Sequence, residues 1–263
     1  MRTNQKDYYK ILDIGRDATL SDIKKAFRSK AKEMHPDTGM RDKKSETVLR
    51  EIITAYQVLS NRRSRREYDR NYTGSEDNKF NYREFLQERK DDLHSQAKLI
   101  FFDLLHRNEK EALDLYNDLI TKPDFSLEIL LGKEDFMDCA YLLSEEFEKK
   151  REYVTVYAIL FRISVLEEQE QYFKHFMQDV KIKMKDILCK KINGKIETDD
   201  HIRYIMQLLP LRIYEKEKPA YLKKIAELYS EIGKKEKARY YFKECLNLKP
   251  RLPGLESLRK KLA

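Results

Sequence analysis

The sequence is poor in residues that interrupt helices or that build disulfide and metal frameworks. Its 263 residues include only 7 Gly and 6 Pro, and it has no Trp. So few helix breakers, beside many Lys, Glu, Leu and Tyr, predict an all-α protein with short connections. The three cysteines, Cys139, Cys189 and Cys245, lie far apart and form no C-x-x-C pair. This spacing argues against a disulfide framework or a zinc site and favours a reducing compartment.

Long apolar segments and catalytic motifs are missing as well. No run of about 18 apolar residues could span a membrane, and "MRTNQKDYYK" at the N-terminus lacks the apolar core of a signal peptide. We therefore expect a cytoplasmic protein. The glycines form neither a phosphate-binding loop nor a dinucleotide fingerprint, and the five histidines show no metal-ligand spacing. These absences predict a protein that is not an enzyme and that binds no cofactor.

Charge, by contrast, is abundant and unevenly placed. The net charge is +8, and 38% of the residues are charged. Residues 1–72 hold 18 Lys and Arg against 11 Asp and Glu, whereas residues 73–263 hold 36 against 35. The positive charge thus belongs to the N-terminal module. An acidic surface or a nucleic acid is the expected class of partner for that module.

Within this module, a helix is predicted from Thr19 to about Met34. Thr19 and Asp22 match a capping box at its start. One side of the helix is apolar and should be buried, whereas the opposite side carries a cationic strip. The residues of the apolar side are Ile23, Phe27, Ala31 and Met34. The residues of the cationic strip are Lys24, Lys25, Arg28 and Lys32.

The stretch "KEMHPDTG", residues 32–39, should end this helix. Proline lacks a backbone N–H and moves the preceding residue out of the α region, so His35 and Asp37 should stand on an exposed loop. A second helix is predicted from about Ser45 to Leu59, and the two helices should form an antiparallel hairpin. The inward residues of the second helix are Val48, Leu49, Ile52, Tyr56 and Leu59. A final short helix, "RRSRREYDRNY", should be anchored by Tyr68.

These segments resemble a known family. In order and spacing, "DYYKILDI", "DIKKAFRSKAKEMHPD", "EIITAYQVLSN" and "RREYD" are similar to the J-domain of DnaJ-type co-chaperones, over residues 5–72. In that family the loop tripeptide and the basic face of the preceding helix engage a DnaK-type heat-shock chaperone and trigger its ATP hydrolysis. The resemblance implies a trigger formed by His35, Pro36 and Asp37. It implies a docking face formed by Lys24, Lys25, Arg28 and Lys32. We expect Arg50, on the second helix, to add to the attraction of these cations for an acidic partner surface.

Two positions depart from the family pattern. Lys30 stands where the family usually has leucine, and Met34 stands where it usually has an aromatic residue. We expect the alkyl chain of Lys30 to lie along the edge of the core while its amine reaches water. The fold should therefore survive with altered packing.

The role of the arginine cluster Arg62, Arg63, Arg65 and Arg66 stays open at this stage. These charges would favour the C-terminal end of the preceding helix and solvate the last one, or they would contact a nucleic acid or the partner. A nucleic-acid-binding function of the whole module is disfavoured for two reasons. The loop between the main helices is too long for a helix-turn-helix, and no exposed aromatic residues are interleaved with the basic ones.

The rest of the chain departs from the best-known DnaJ proteins. After Tyr72, "TGSEDNK" is polar and turn-rich and indicates a linker. The Gly/Phe-rich segment, the cysteine-rich zinc module and the β-rich client-binding domains of those proteins have no counterpart, which is typical of the divergent class in which a J-domain is joined to an unrelated partner domain. We predict a J-domain at 5–72, a linker and connecting helix at 73–96, and a helical repeat domain at 97–261.

Residues 220–250 match the pattern of a tetratricopeptide repeat, two amphipathic helices joined at "GKKEK". The pattern residues are Leu222, Ile225, Ala226, Tyr229, Gly233, Ala238, Phe242, Cys245 and Pro250. A weaker echo occupies 97–123, where Ala112 and Tyr116 follow a polar turn, and an irregular one occupies 138–163. These segments predict a short tetratricopeptide-like α-solenoid, a fold that commonly binds a peptide or protein. No client-binding residue is named, because Tyr and Phe at helical spacing are usually core residues.

The sequence therefore predicts a co-chaperone that docks on a DnaK-type chaperone, stimulates its ATP hydrolysis and recruits a protein client or assembly through its helical repeats. One alternative is an interaction scaffold with secondary J-activity. A less favoured alternative is a nucleic-acid-binding protein that uses the basic N-terminal module. No membrane partner is expected.

Overall fold

The computed structural model describes residues 6–33, 43–72, 81–172 and 176–262. Over these ranges the chain forms helices and no strand, which confirms the predicted all-α class. The α-helices are α1 Tyr8–Leu12, α2 Leu20–Glu33, α3 Lys43–Ser60, α4 Arg62–Tyr72, α5 Tyr82–Gln87, α6 Leu93–Leu105, α7 Glu109–Ile120, α8 Leu127–Leu131, α9 Lys133–Lys149, α10 Tyr153–Gln169, α11 Met177–Asp186, α12 Thr198–Leu208, α13 Lys218–Glu231, α14 Lys235–Leu248 and α15 Leu255–Leu262. A π-helical turn, Ile187–Lys191, extends α11, and a 3-10 turn, Arg212–Tyr214, precedes α13.

The two helices of the predicted N-terminal hairpin, α2 and α3, are both present. α2 and α3 pack against each other, and α1 packs on α3. Ile23 of α2 is fully buried, and the half-buried Phe27 stacks on Tyr56 of α3 with ring centroids 4.3 Å apart. Ile52 and Leu59 are buried as predicted, whereas Val48 and Leu49 are half-buried. The apolar spacing of the two helices thus identified most of their contact surface.

The hairpin shares its hydrophobic core with the two helices that follow it. Thr54, Ala55 and Val58 of α3 are buried in addition to the predicted residues. The residues that α5 and α6 add to the core of the hairpin are Tyr82, Phe85, Leu86, Leu99 and Phe102. Each large apolar side chain buried in this way stabilises the fold by roughly 1.5 to 3 kcal/mol. α5 and α6 therefore contribute substantially to the stability of the N-terminal helices.

The chain divides into two compact units, Met1–Leu130 and Leu131–Ala263. The predicted domain boundaries at 72 and 97 stay predictions. Within the first unit, α3 and the buried aromatic residues of α5 and α6 belong to one hydrophobic core. Residues 73–80 of the predicted linker lie outside the described residues.

The second compact unit consists of helices packed in chain order. α9 packs on α10, the π-helical extension of α11 packs on α12, and α13 packs on α14. α10 also contacts α11, and α12 also contacts α13, which links the successive pairs. The final helix, α15, packs on α13 and α14. Such neighbour-to-neighbour packing is the arrangement of an α-solenoid.

The helix pairs share one type of turn. Arg107, Arg151, Gly194 and Gly233 have positive φ angles of 62°, 62°, 69° and 75°. In three of these turns the next N–H donates to a carbonyl five residues earlier: Asn108 to Asp103, Glu152 to Phe147 and Lys234 to Tyr229, at 2.9, 3.0 and 2.9 Å. This hydrogen bond defines the Schellman motif that ends helices. The turn geometry therefore recurs along the chain.

The turns are spaced more widely than in a tetratricopeptide array. Residues 107, 151, 194 and 233 are separated by 44, 43 and 39 residues, whereas a tetratricopeptide repeat has about 34. The pair α13 and α14 nevertheless has the predicted close approach, because Ala226 and Ala238 are both fully buried. The regular feature of the chain is thus the helix pair with its left-handed turn.

Candidate functional site

α2 begins at the predicted capping box. The backbone N–H of Thr19 donates to the Asp22 carboxylate at 2.9 Å, and the N–H of Asp22 donates to the Thr19 hydroxyl at 3.2 Å. The Thr19 hydroxyl also donates to Asp22 at 2.7 Å, and this bond is the main cause of the lowered pKa of Asp22. These reciprocal bonds satisfy N–H groups at the start of the helix. They fix where α2 begins and hence which residues lie on each of its sides.

The cationic strip of α2 faces solvent. Lys24, Lys25 and Arg28 are exposed, whereas Ile23 and Phe27 hold the other side of the helix against α3. Lys30 is half-buried, as expected for a lysine whose alkyl chain lies along the core edge. The side chain of Lys32 lies outside the described part of the chain. An exposed row of cations on a rigid helix is suited to steer and orient an acidic partner surface.

The predicted trigger lies beside this strip in the sequence. His35, Pro36 and Asp37, like Met34, fall outside the described residues. The described chain stops at Glu33 at the end of α2 and resumes at Lys43 at the start of α3. The roles of the tripeptide and of the docking residues stay predictions.

Arg50 lies on α3 and is half-buried. Its charge helps to lower the pKa of His106 at the end of α6, although burial of the imidazole is the main cause. His106 Nε2 lies 3.2 Å from the Thr54 hydroxyl, and its Nδ1 lies 2.8 Å from the Phe102 carbonyl oxygen. Arg50 is therefore close to a polar contact between α3 and α6, a surrounding that the three exposed cations of α2 do not share.

The arginine cluster of α4 separates into one structural residue and three exposed ones. The Arg65 guanidinium donates to the Tyr9 hydroxyl at 2.9 Å and to the carbonyl oxygens of Ala18 and Arg16, both at 2.8 Å. Arg65 thus fastens α4 to α1 and to the loop that leads into α2. Arg62, Arg63 and Arg66 are exposed.

Tyr68 is the buried anchor of α4, as predicted. It is 1% exposed, and its hydroxyl accepts from the N–H of Tyr8 at 3.1 Å and donates to the carbonyl of Lys6 at 3.2 Å. Its ring contacts that of Tyr8 with centroids 4.7 Å apart. Tyr68 therefore holds α4 against the start of α1.

Sequence reasoning missed the Arg65 contacts and the support from α5 and α6. For α5 and α6 a signal was present, because Thr54, Ala55 and Val58 form a second stripe on α3 at helical spacing. For Arg65 no local pattern separates it from the neighbouring arginines. Its partners, Tyr9, Arg16 and Ala18, are 47 to 56 residues away in the sequence.

Metal-binding clusters and membrane-spanning helices are absent from the part of the chain that the structure describes. Within it, no group of three or more His, Cys, Asp or Glu side chains could hold a metal ion. None of its described helices is both long and apolar enough to cross a membrane. In the second compact unit, a groove of about 600 Å³ is lined by Tyr141, Ile182, Lys183 and Cys189, among others.

The chain is similar to known proteins over its N-terminal part. The family model of the DnaJ domain matches residues 7–69. Chaperone protein DnaJ of Hydrogenobacter thermophilus is 43% identical over 90 residues, which are 34% of this chain and 24% of that protein. Chaperone protein DnaJ of Halothermothrix orenii is 41% identical over 83 residues, 31% of this chain and 22% of that protein. For Chaperone protein DnaJ of Campylobacter hominis the identity is 50% over 64 residues, 24% and 18% of the two chains.

The similar segment thus covers about a quarter or less of the length of each of these relatives. No solved structure matches the chain. The packing of α1 to α4 and the match to the family model agree on the same segment. Residues 7–69 of this chain form a DnaJ domain.

Proposed function

We propose that this protein is a co-chaperone that docks on a DnaK-type heat-shock chaperone and stimulates its ATP hydrolysis. The observation that carries the proposal is the DnaJ domain at residues 7–69, with the cationic strip of α2 exposed beside it. The chain itself is not the enzyme. It binds the hydrolysing state of the partner more tightly than the other states and so raises the population of that state.

Each part of the domain has a physical role in this proposal. Lys24, Lys25, Arg28 and Lys32 attract an acidic surface of the chaperone and accelerate the encounter. Asp37 accepts a charge-assisted hydrogen bond from a partner arginine, and Pro36 limits the loop entropy that docking costs. His35 donates or accepts a hydrogen bond, depending on its tautomer. Arg50 adds a contact from α3.

The test is the steady-state ATPase rate of a DnaK-type chaperone in the presence of the full chain. His35→Gln or Asp37→Asn should abolish stimulation while the thermal midpoint of the chain stays nearly unchanged. Lys25→Glu with Arg28→Glu should weaken association mainly through the on-rate and should reduce its dependence on salt. The proposal would be refuted if the tripeptide variants still stimulated the ATPase. It would also be refuted if the charge-reversal variant bound the chaperone at low salt with unchanged affinity.

We further infer that residues beyond the DnaJ domain recruit a particular protein client or assembly. The packed helix pairs of the second compact unit support this inference, since stacked helix pairs commonly present extended binding surfaces. The same proposal includes two further points. Residues 97–261 form tetratricopeptide-like repeats, and the protein is located in the cytoplasm. A pull-down with the full chain and with a chain truncated after Leu130 tests it. A client retained by the full chain only would support recruitment by the second unit, whereas equal retention would contradict it.

The scaffold alternative, with secondary J-activity, differs from this proposal in a measurable way. A scaffold would keep its cellular function when Asp37 is replaced by Asn, because the helix pairs would still gather their partners. A co-chaperone would lose that function. Complementation of a strain that lacks the chain therefore separates the two.

A further inference from the structure

The helix α4 carries more positive charge than its folding contacts use. Its sequence, "RRSRREYDRNY", contains five arginines and two acidic residues. Arg65 is engaged with α1 and the α1–α2 loop, and Asp69 accepts a hydrogen bond from the Tyr9 hydroxyl at 2.7 Å. Four arginines and Glu67 remain, and Glu67 is paired with Arg70. An exposed excess of positive charge is thus left on one short helix.

The four remaining residues, Arg62, Arg63, Arg66 and Arg70, are called the α4 arginine strip here. Together with Glu67 they line one open groove of about 590 Å³. Three of them are spaced four residues apart, which places successive guanidinium groups roughly 6 Å apart along the helix axis. The side chains of Arg62, Arg63 and Arg66 form no hydrogen bond or ion pair with any described residue, although the backbone N–H of Arg63 donates to the Asn61 side chain at 3.0 Å. Their side chains are therefore available to a ligand.

The requirements of folding do not explain this placement. Like charges four residues apart destabilise a helix, and cations in its first turn oppose the helix dipole. The basic residues of α15 show the opposite arrangement, because Arg259, Lys260 and Lys261 lie in its last turn, where the dipole favours them. The negative end of α3 offsets part of the cost for Arg62 and Arg63. Neither of them, however, donates a hydrogen bond to the last carbonyls of α3.

We propose that the α4 arginine strip binds the phosphate backbone of a nucleic-acid strand, without reading its sequence. The planar guanidinium group matches phosphate oxygens with two parallel hydrogen bonds, which the ammonium group of lysine does not provide. Among the described side chains of α4, none that is aromatic or apolar is exposed, because the only one, Tyr68, is buried. The four arginines themselves offer charge and planar hydrogen-bond donors, which suit phosphate groups, whereas membrane insertion and the centre of a protein interface call for apolar side chains.

The mode of binding predicts its salt dependence. Each phosphate neutralised on a single strand contributes about 0.7 to the slope of log affinity against log salt concentration. Removing three arginines should therefore lower the magnitude of that slope by about 2. A ligand of low charge, such as a short acidic peptide, would give a much smaller change.

The experiment uses the full chain and a fluorescently labelled RNA of about 20 nucleotides, with a DNA of the same sequence as a second probe. Anisotropy is measured over a range of salt concentrations for the wild type and for R62A/R63A/R66A. The matched control is R259A/K260A/K261A, which removes the same charge from α15. Circular dichroism checks that both variants fold.

We expect the α4 variant to bind RNA at least tenfold more weakly, with the reduced salt slope, while the α15 variant stays within twofold of the wild type. Equal losses in both variants would mean that net charge alone is responsible and would overturn the proposal. So would unchanged binding in the α4 variant, or binding to phosphatidylserine vesicles in preference to nucleic acid. Stimulation of the chaperone ATPase should be unaffected, and its loss with RNA binding intact would reassign the strip to the chaperone.

Discussion

At the scale of single residues, two tyrosines of the second compact unit differ in one hydrogen bond. Tyr214 and Tyr221 are 1% and 0% exposed, and their rings meet edge-on with centroids 6.0 Å apart. The Tyr214 hydroxyl lies 2.6 Å from the Ser164 hydroxyl. The Tyr221 hydroxyl is buried and has no hydrogen-bond partner among the described residues. The pair therefore isolates the effect of a buried hydroxyl.

We predict opposite effects for the two substitutions by phenylalanine. Tyr221→Phe removes an unpaired buried hydroxyl and should raise the free energy of unfolding by about 1 kcal/mol. Tyr214→Phe breaks a hydrogen bond and leaves Ser164 with one partner fewer, so it should lower that free energy by about 1 kcal/mol. Urea denaturation of the full chain, followed by circular dichroism, measures both. Equal destabilisation by the two variants would contradict the prediction.

His201 makes the stability of the second unit depend on pH. It is 1% exposed, and its Nε2 lies 2.6 Å from the Leu188 carbonyl oxygen. Burial lowers its pKa below the ordinary value of 6.5, although the contact with the carbonyl opposes the shift. The unfolded chain therefore binds the proton more readily than the folded chain. The stabilising effect of the neutral side chain is complete above pH 6.5 and is lost as the pH falls below it.

We expect the protection of α12 amides against hydrogen exchange to fall between pH 7 and pH 5, after correction for the intrinsic exchange rate. The His201→Gln variant should show a weaker dependence on pH, because its side chain does not titrate. His106, which follows α6 and whose pKa is also lowered, belongs to the first unit and serves as an internal comparison. An identical pH dependence of α12 protection in wild type and variant would contradict the prediction.

At the scale of helices, α6 shares a hydrophobic core with α3. The Phe102 ring stacks on His106 at 3.9 Å and meets the Tyr82 ring edge-on at 5.6 Å, and it belongs to the core that includes Ala55 and Val58. Phe102→Ala should therefore lower the free energy of unfolding of the first unit by about 3 to 4 kcal/mol. It should also reduce the exchange protection of α3. Ile129→Ala, at a position that is 80% exposed, is the control and should change stability by less than about 0.5 kcal/mol.

The same variant tests whether α6 unfolds together with α3 or independently of it. If α3 keeps its protection in the Phe102→Ala variant, α6 is a neighbour and not a support. If α3 loses protection together with α6, the helices fold as one cooperative group.

At the scale of the whole molecule, the place of the cut decides which fragments fold. A fragment that ends at Tyr72 would lack Phe85, Leu86 and Phe102, which belong to the same hydrophobic core as the buried residues of α3. A fragment that ends at Leu130 keeps this core complete. We predict that residues 1–130 match the exchange protection of the full chain over α1 to α4, and that residues 1–72 are measurably less stable. Equal protection in both fragments would contradict this prediction and would show that residues 1–72 fold fully without α5 and α6.

Many of the local features of this protein could be predicted from its sequence. The Thr19 and Asp22 capping box, the buried side of α2 and the Tyr68 anchor depend on residues that are close in the chain or on a regular helical period. The helix pair at 220–250 was predictable for the same reason, since Gly233 occupies the left-handed position of its turn. The docking residues were assigned by resemblance, and their roles stay predictions.

The sequence by itself determined the all-α class, the capped and two-sided α2, and the excess of positive charge before residue 73, because propensity, periodicity and charge are properties of neighbouring residues. Only the tertiary structure decided that the Arg65 side chain is engaged in folding contacts while those of Arg62, Arg63 and Arg66 are exposed, and that α5 and α6 add residues to the core of the hairpin. These outcomes depend on contacts such as that of Thr54 with His106, 52 residues apart. No local pattern specifies such a pair, because its energy exists only after the chain has brought the two side chains together.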